Sequence, residues 1–413
     1  MTTRTSRGQG RAPTTAARAP EQMHVYRHAE QAVQNPLREG LLLERVPQPC
    51  QIVIFGATGD LTSRKILPAI YNLRRAGLLP PETSVLGFAR RPLDDEKFRT
   101  QMRAAAEEHS RVKVEEGLWT NFADDIYYQQ GEFGDRSAFR ALGERLEEID
   151  AARGTGGNRL FYLATPPSAY EEIVGNLGRS GLHRQGPNEG WARIVVEKPF
   201  GHDLASAGEL NDMLIRVFDE SQIYRIDHYL GKETVRNLLV FRFANGIFEP
   251  LWNRRYVDHV QITVSEDAGV DGRGAFYEEA GASRDILQNH LLQVLTLVAM
   301  EPPIAFEADA MRDEKVRVLR AIDPRWTDAR VRARVVRGQY TKGWVGDKGV
   351  PGYREEKQVA PDSKMETFVA LKLEVQNWRW ADVPFYLRTG KRMARRATEI
   401  AIEFKRPPLM LFG

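Results

Sequence analysis

Gln51-Ile52-Val53-Ile54-Phe55-Gly56-Ala57-Thr58-Gly59-Asp60-Leu61 decides how the first half of this chain folds. Its first five residues are an unbroken apolar, β-branched run, the composition of a strand buried on both faces. A GxxG turn follows at once, and residues 61–76 then carry apolar positions at helical spacing. Strand, glycine turn and helix in direct succession is the arrangement in which N–H groups at a helix N-terminus hold a pyrophosphate. The fuller GxGxxG spacing is absent, and an unliganded βα turn fits the same letters. Gly56, Ala57, Thr58, Gly59, Asp60 and Leu61 are therefore candidate cofactor contacts.

Outward from this stretch the pattern repeats. Residues 84–89 form a second apolar strand that ends in Arg90-Arg91. An acid at that place in a dinucleotide-binding fold takes a ribose 2′-hydroxyl, whereas a guanidinium suits a 2′-phosphate. Arg90 thus points to NADP, although two surface arginines satisfy the same letters. Strands at 126–129, 160–164 and 191–196 alternate with helices at 98–108, 137–146, 170–177 and 204–218. This is the order of a parallel, doubly wound sheet. The strand at 191–196 runs into Glu197-Lys198-Pro199-Phe200-Gly201, which places Lys198 where a ligand would lie.

Arg225-Ile226-Asp227-His228-Tyr229-Leu230-Gly231-Lys232-Glu233 is too polar for a core and sits where the texture changes. Ligand sites favour such junctions, and a charged surface loop is the plain alternative. Beyond it, residues 235–243 read as helix and 257–264 as a strand with one wet face. Residues 282–300 read as one long helix carrying Asp285, Asn289 and His290, and 315–322 as another helix. Residues 331–339, 367–376, 385–388 and 399–404 read as strands. A histidine on an apolar helix is either a satisfied core residue or a base, and spacing alone leaves both open. The expected fold class is α/β plus α+β. A Rossmann-like dinucleotide-binding domain (residues 49–226) follows a disordered tail (1–48) and precedes an α+β domain (227–413) with a large, mostly antiparallel sheet.

Composition narrows the function classes. The net charge of +3 in 413 residues is too small to indicate nucleic acid, and the first fifty residues account for all of it, with seven Arg against four Glu. Cys50 is the sole cysteine, which leaves no thiolate metal cluster and fits a reducing, cytoplasmic compartment. No apolar run approaches the ~18 residues that span a membrane.

Four motifs in order, Gly56-Ala57-Thr58-Gly59-Asp60-Leu61, Glu197-Lys198-Pro199-Phe200-Gly201, the 225–233 stretch and Arg284-Asp285-Ile286-Leu287-Gln288-Asn289-His290-Leu291-Leu292-Gln293, resemble the glucose-6-phosphate dehydrogenase family. So do Arg312-Asp313-Glu314-Lys315-Val316 and Leu387-Arg388-Thr389-Gly390-Lys391. The resemblance implies an NADP-dependent oxidation of glucose 6-phosphate at C1, without a metal. It implies His290 as general base with Asp227 as its hydrogen-bonding carboxylate, and His228, Tyr229 and Lys232 around the phosphate. Lys198 would stand between substrate and nicotinamide, with Glu266, Asp285, Lys391 and Arg396 on the sugar side. Lys65, Arg90 and Tyr170 would lie on the cofactor side. It further implies a homodimer or homotetramer. The family pattern continues past Gly413, so the resemblance also implies a large sheet incomplete at its C-terminal end. Two other readings fit these letters: a broader hexose-6-phosphate dehydrogenase, and a non-catalytic paralogue that binds nucleotide or sugar phosphate.

Overall fold

The computed structural model describes residues 46–186 and 190–410. Most of the expected tail, residues 1–45, and the last three residues lie outside them. Gln51–Phe55 is strand β1 and every residue in it is buried. Val53 and Phe55 enter one apolar cluster while Ile52 and Ile54 enter another, so β1 divides two cores. Parallel strands β2 (Ser84–Ala89), β3 (Ile126–Gln130), β4 (Arg159–Leu163), β5 (Ala192–Val196) and β6 (Ile223–Arg225) complete a sheet of order β3-β2-β1-β4-β5-β6. The order reverses between β1 and β4, and ligands bind above the carboxyl ends of strands at such a switch point.

Several local expectations need correction. The helix after the glycine turn starts with a π-wound turn, Thr62–Ile66, before the α-helix Leu67–Arg75. The helix Arg136–Arg153 runs well past residue 146, because Leu146 and Ile149 extend its buried face to the left-handed cap at Gly154. A helix at Glu116–Ala123 was not foreseen; it packs Trp119 and Phe122 against Tyr71. Nor was β6, which is only three residues long and opens the polar 225–233 stretch.

The second sheet comprises β7 (Val257–Ser265), β8 (Val335–Gly338), β11 (Phe368–Glu374), β12 (Pro384–Gly390) and β13 (Ala397–Phe404), in the order β13-β7-β12-β11-β8. A separate hairpin joins β9 (Gly343–Val345) to β10 (Lys348–Val350). Only the β7–β12 pairing is parallel; the others are antiparallel, as the one-wet-face alternation suggested. Residues 331–339 are not one strand. Thr327 caps a helix, Asp328–Arg334, and β8 starts after it. The Val/Arg alternation imitated a period of two, but arginine and alanine are good helix formers and the cap settled the competition.

The expected helix over 282–300 is also divided. Gly274–Ala282 ends at a break where Gly281 has φ 60° and ψ 177°. The chain then winds as a π-helix over Ser283–Leu291 and as an α-helix over Leu292–Ala299. A π turn closes i→i+5 bonds, so Asp285 and His290 come to one side; in an α-helix five residues rotate the direction by ~140°. A Cβ on Gly281 would lie 2.6 Å from Met365 Sδ and 2.8 Å from Glu366 Oε1. The π winding starts two residues after this break. Gly281→Ala is expected to cost about 1–3 kcal/mol of stability, and an unchanged urea midpoint would refute the claim that the break is obligatory.

Candidate active site

Strand register brings the polar residues together. β5 and β6 pair Val196 with Arg225, and the Ile226 amide donates to Val196 O at 3.1 Å. Lys198 and Asp227 therefore leave neighbouring strands side by side at the carboxyl edge. In the second sheet, β7 pairs Ser265 with Gly390 of β12 and with Ala397 of β13. The next or preceding residue of each strand is Glu266, Lys391 or Arg396, so these three converge as well. Lys391 is buried and donates to Glu266 Oε2.

At the centre is His290, fully buried on its π-wound turn. Its Nδ1 lies 2.6 Å from Asp227 Oδ1, and its Nε2 lies 3.0 Å from Lys198 Nζ. An ammonium can only donate, so Nε2 is the accepting nitrogen and Nδ1 carries the hydrogen. Lys198 Nζ also donates to Asp285 Oδ1 at 3.0 Å. The Tyr229 ring stacks on His290 with centroids 4.0 Å apart and planes 15° apart, and the His228 ring meets His290 edge-on at 4.5 Å. Lys232 Nζ stands 3.3 Å above the Tyr229 centroid.

The charges interact strongly. Burial pushes the Tyr229 phenol up to about 12. Desolvation, then repulsion by His290 and Lys198, brings His228 down to about 4, so it is a neutral hydrogen-bonding ring at neutral pH. Burial and the Arg396 guanidinium lower the Lys232 ammonium. Burial alone would raise Asp227, yet hydrogen bonds from His290 and the Tyr229 amide outweigh it and hold the carboxyl below its ordinary value. Asp227, His228 and His290 bring donor atoms within 4.8 Å, but Asp227 Oδ1 and His290 Nδ1 already face each other across a hydrogen bond, which orients the ring and fixes its tautomer.

A cleft of about 340 Å³ adjoins Lys198 and Asp285, walled by Pro199, Phe200, Phe276 and Arg284. The glycine turn lies along the carboxyl edge of the same parallel sheet. Gly56 has φ 80°, and a Cβ there would stand 2.6 Å from Ala164 O, so the backbone packs as closely as a phosphate cradle needs. Ala57 is buried; the Gly59 amide bonds to Gly56 O at 2.9 Å. Asp60 and Lys65 are exposed near Thr58 and Leu61, and Arg90 is exposed directly after β2. Tyr170 is 2% exposed, a core residue whose phenol burial pushes up to about 12. Sequence reading passed over Phe276 and Thr398. Thr398 acts on the Tyr229 phenol and opposes its rise, and nothing in a strand's letters marks that neighbour.

Two family models match the chain: the NAD binding domain of glucose-6-phosphate dehydrogenase over residues 53–237 and its C-terminal domain over residues 239–413. Glucose-6-phosphate 1-dehydrogenase 2 of Mycobacterium tuberculosis is 50% identical over 390 residues, covering 93% of this chain and 74% of that protein. Glucose-6-phosphate 1-dehydrogenase of Chlamydia pneumoniae is 46% identical over 376 residues, covering 91% and 73%. Among solved structures, a glucose-6-phosphate dehydrogenase in complex with glucose-6-phosphate is similar at a TM-score of 0.81 and 37% identity, covering 89% of this chain and 74% of that one. The Mycobacterium avium enzyme is similar at a TM-score of 0.76 and 38% identity, covering 88% and 74%.

The depressed Asp227 carboxyl has a consequence for stability. A carboxyl lowered in the folded state contributes stability above its unfolded value, and that contribution is lost as pH falls through the folded value. The stability difference between the wild type and Asp227→Asn, measured by urea denaturation, is therefore expected to be full at pH 6 and to shrink below about pH 4. A difference that stays constant with pH would contradict this assignment.

Proposed function

The chain belongs to the glucose-6-phosphate dehydrogenase family, and from that premise we propose that it oxidises D-glucose 6-phosphate at C1 to 6-phospho-D-glucono-1,5-lactone with reduction of NADP. The observation that carries this reading is the His290 imidazole, with Nδ1 on Asp227 and an accepting Nε2 3.0 Å from a cation. When bound, the nicotinamide nucleotide supplies the acceptor for the hydride that leaves C1. The C1 hydroxyl gives its proton to His290 Nε2, and Asp227 stabilises the imidazolium that forms.

Lys198 Nζ occupies the place on Nε2 that this hydroxyl would take. Substrate entry then moves the ammonium from the base toward the sugar, with Asp285 retaining it. Lys232, His228 and Tyr229 receive the phosphate, helped by Arg396, while Glu266, Asp285 and Lys391 face the sugar hydroxyls. On the cofactor side, the Gly56–Leu61 turn, through the amides of Thr58, Asp60 and Leu61, and Lys65 would hold the pyrophosphate and Arg90 the 2′-phosphate, with Tyr170 supporting that edge from the core. The cleft beside Pro199 and Phe200 suits a flat ring. The domain division at residues 226 and 227, the homodimer or homotetramer and the cytoplasmic location belong to the same proposal. The non-catalytic reading is not favoured, since base, carboxylate and cations are all retained and paired as the reaction needs.

His290→Asn is expected to lower kcat by two to four orders of magnitude (~10²–10⁴) in a folded protein that still binds NADP. Near-normal turnover would remove His290 as base. Arg90→Ala is expected to raise KM for NADP far more than KM for NAD. An unchanged ratio of the two specificity constants would count against the 2′-phosphate role.

A further inference from the structure

The helix Ala308–Arg320 carries the segment Arg312-Asp313-Glu314-Lys315-Val316, to which the reaction described above gives no part. Met311 and Val318 of this helix pack into the apolar cluster that contains Tyr229, Ile286 and Leu291. Lys315 comes four residues after Met311 and three before Val318, so it lies on the same face. It is partly buried, and among the described residues it makes neither a hydrogen bond nor an ion pair. Burial lowers its ammonium, and the Asp227 carboxylate is the acid that opposes this.

Asp227 has a matching vacancy. Oδ1 accepts from His290 Nδ1 and from the Tyr229 amide, while Oδ2 is buried without any partner. A buried carboxylate oxygen lacking a donor is costly, and such exceptions need a cause. We propose that Lys315 is a positioning residue for the base: its ammonium serves the free oxygen of Asp227 through one bridging water and so keeps the carboxylate aimed at His290. The cation also moderates how strongly Asp227 favours the protonated imidazole.

Other titratable or charged groups bear on this pair. His228 stands beside His290 and Asp227; Lys198, with Asp285 behind it, caps Nε2. Lys232, Arg396 and Glu266 act on Tyr229 or on each other, and Arg312 on the same helix repels Lys315.

The inference rests on His290 being the base, and its test separates the two. In the full chain, Lys315→Met and Lys315→Gln remove the cation, so the imidazolium forms more easily. The acidic limb of the kcat/KM profile for glucose 6-phosphate should move to higher pH by about 0.5–1 unit, with KM for NADP unchanged. Lys315→Arg should return the limb to its wild-type position. A merely structural lysine would change Tm or overall rate and leave the limb where it was. The proposal is overturned if the limb stays in place in whichever neutral variant folds, or if the Arg variant moves it as far as Met or Gln does. Near-normal turnover by His290→Asn would instead remove the base, a result distinct from an unmoved limb.

Discussion

His290 is gripped at both ring nitrogens, by Asp227 from the end of the parallel sheet and by Lys198 from the neighbouring strand. The imidazole itself belongs to the other half of the chain, so this grip joins the two sheets where the chemistry lies. A hydrogen bond to a charged group is worth about 1.5–3 kcal/mol, too little to hold two layers together. The apolar cluster running from Tyr229 through Ile286 and Leu291 to Trp380 and Phe385 fixes the helix that bears His290 against the second sheet, and the polar contacts choose the orientation of the ring. Two features of the backbone make the grip possible. The β5–β6 register puts Lys198 beside Asp227, and the π winding brings Asp285 and His290 to one side of their helix.

Charge pairing sorts the cations of the site by task. Lys198 is neutralised by Asp285 and Lys391 by Glu266, and such paired ammonium groups suit neutral hydroxyls. Among the described residues Lys232 meets only the face of Tyr229, and its ammonium is lowered by burial and by Arg396. Two cations that repel each other in this way gain most from a dianion between them. The proposed division of the substrate, phosphate at Lys232 and sugar at Lys198 and Lys391, follows from where the counter-charges are missing. His228, brought down to about 4, adds a donor or acceptor there without adding charge.

Much of this was legible in the chain itself. The strand Gln51–Phe55 and its glycine turn, the Arg after β2 and the acid–imidazole–phenol–ammonium stretch could be found because periodicity and residue type are local properties. Short elements without strong periodicity were missed, among them β6 and Glu116–Ala123. The Val/Arg run at 331–334 was misread, since a helix and a wet-faced strand share that alternation until a cap decides. The π winding over Ser283–Leu291 also escaped notice: its apolar positions read as an ordinary helix, and the backbone break at Gly281 that precedes it has no signature in the letters.

By itself the sequence determined the two-sheet architecture, the family likeness and the inventory of ionisable groups, because burial pattern and residue chemistry are written residue by residue. Only the tertiary structure decided which of those groups touch. Asp227 and His290 are 63 residues apart, and Glu266 and Lys391 are 125 apart. Their meeting depends on strand register and helix pitch, quantities that many distant contacts set together. The proposed role of Lys315 likewise rests on tertiary facts, a helix face packed into the Tyr229 cluster and an Asp227 oxygen without a partner.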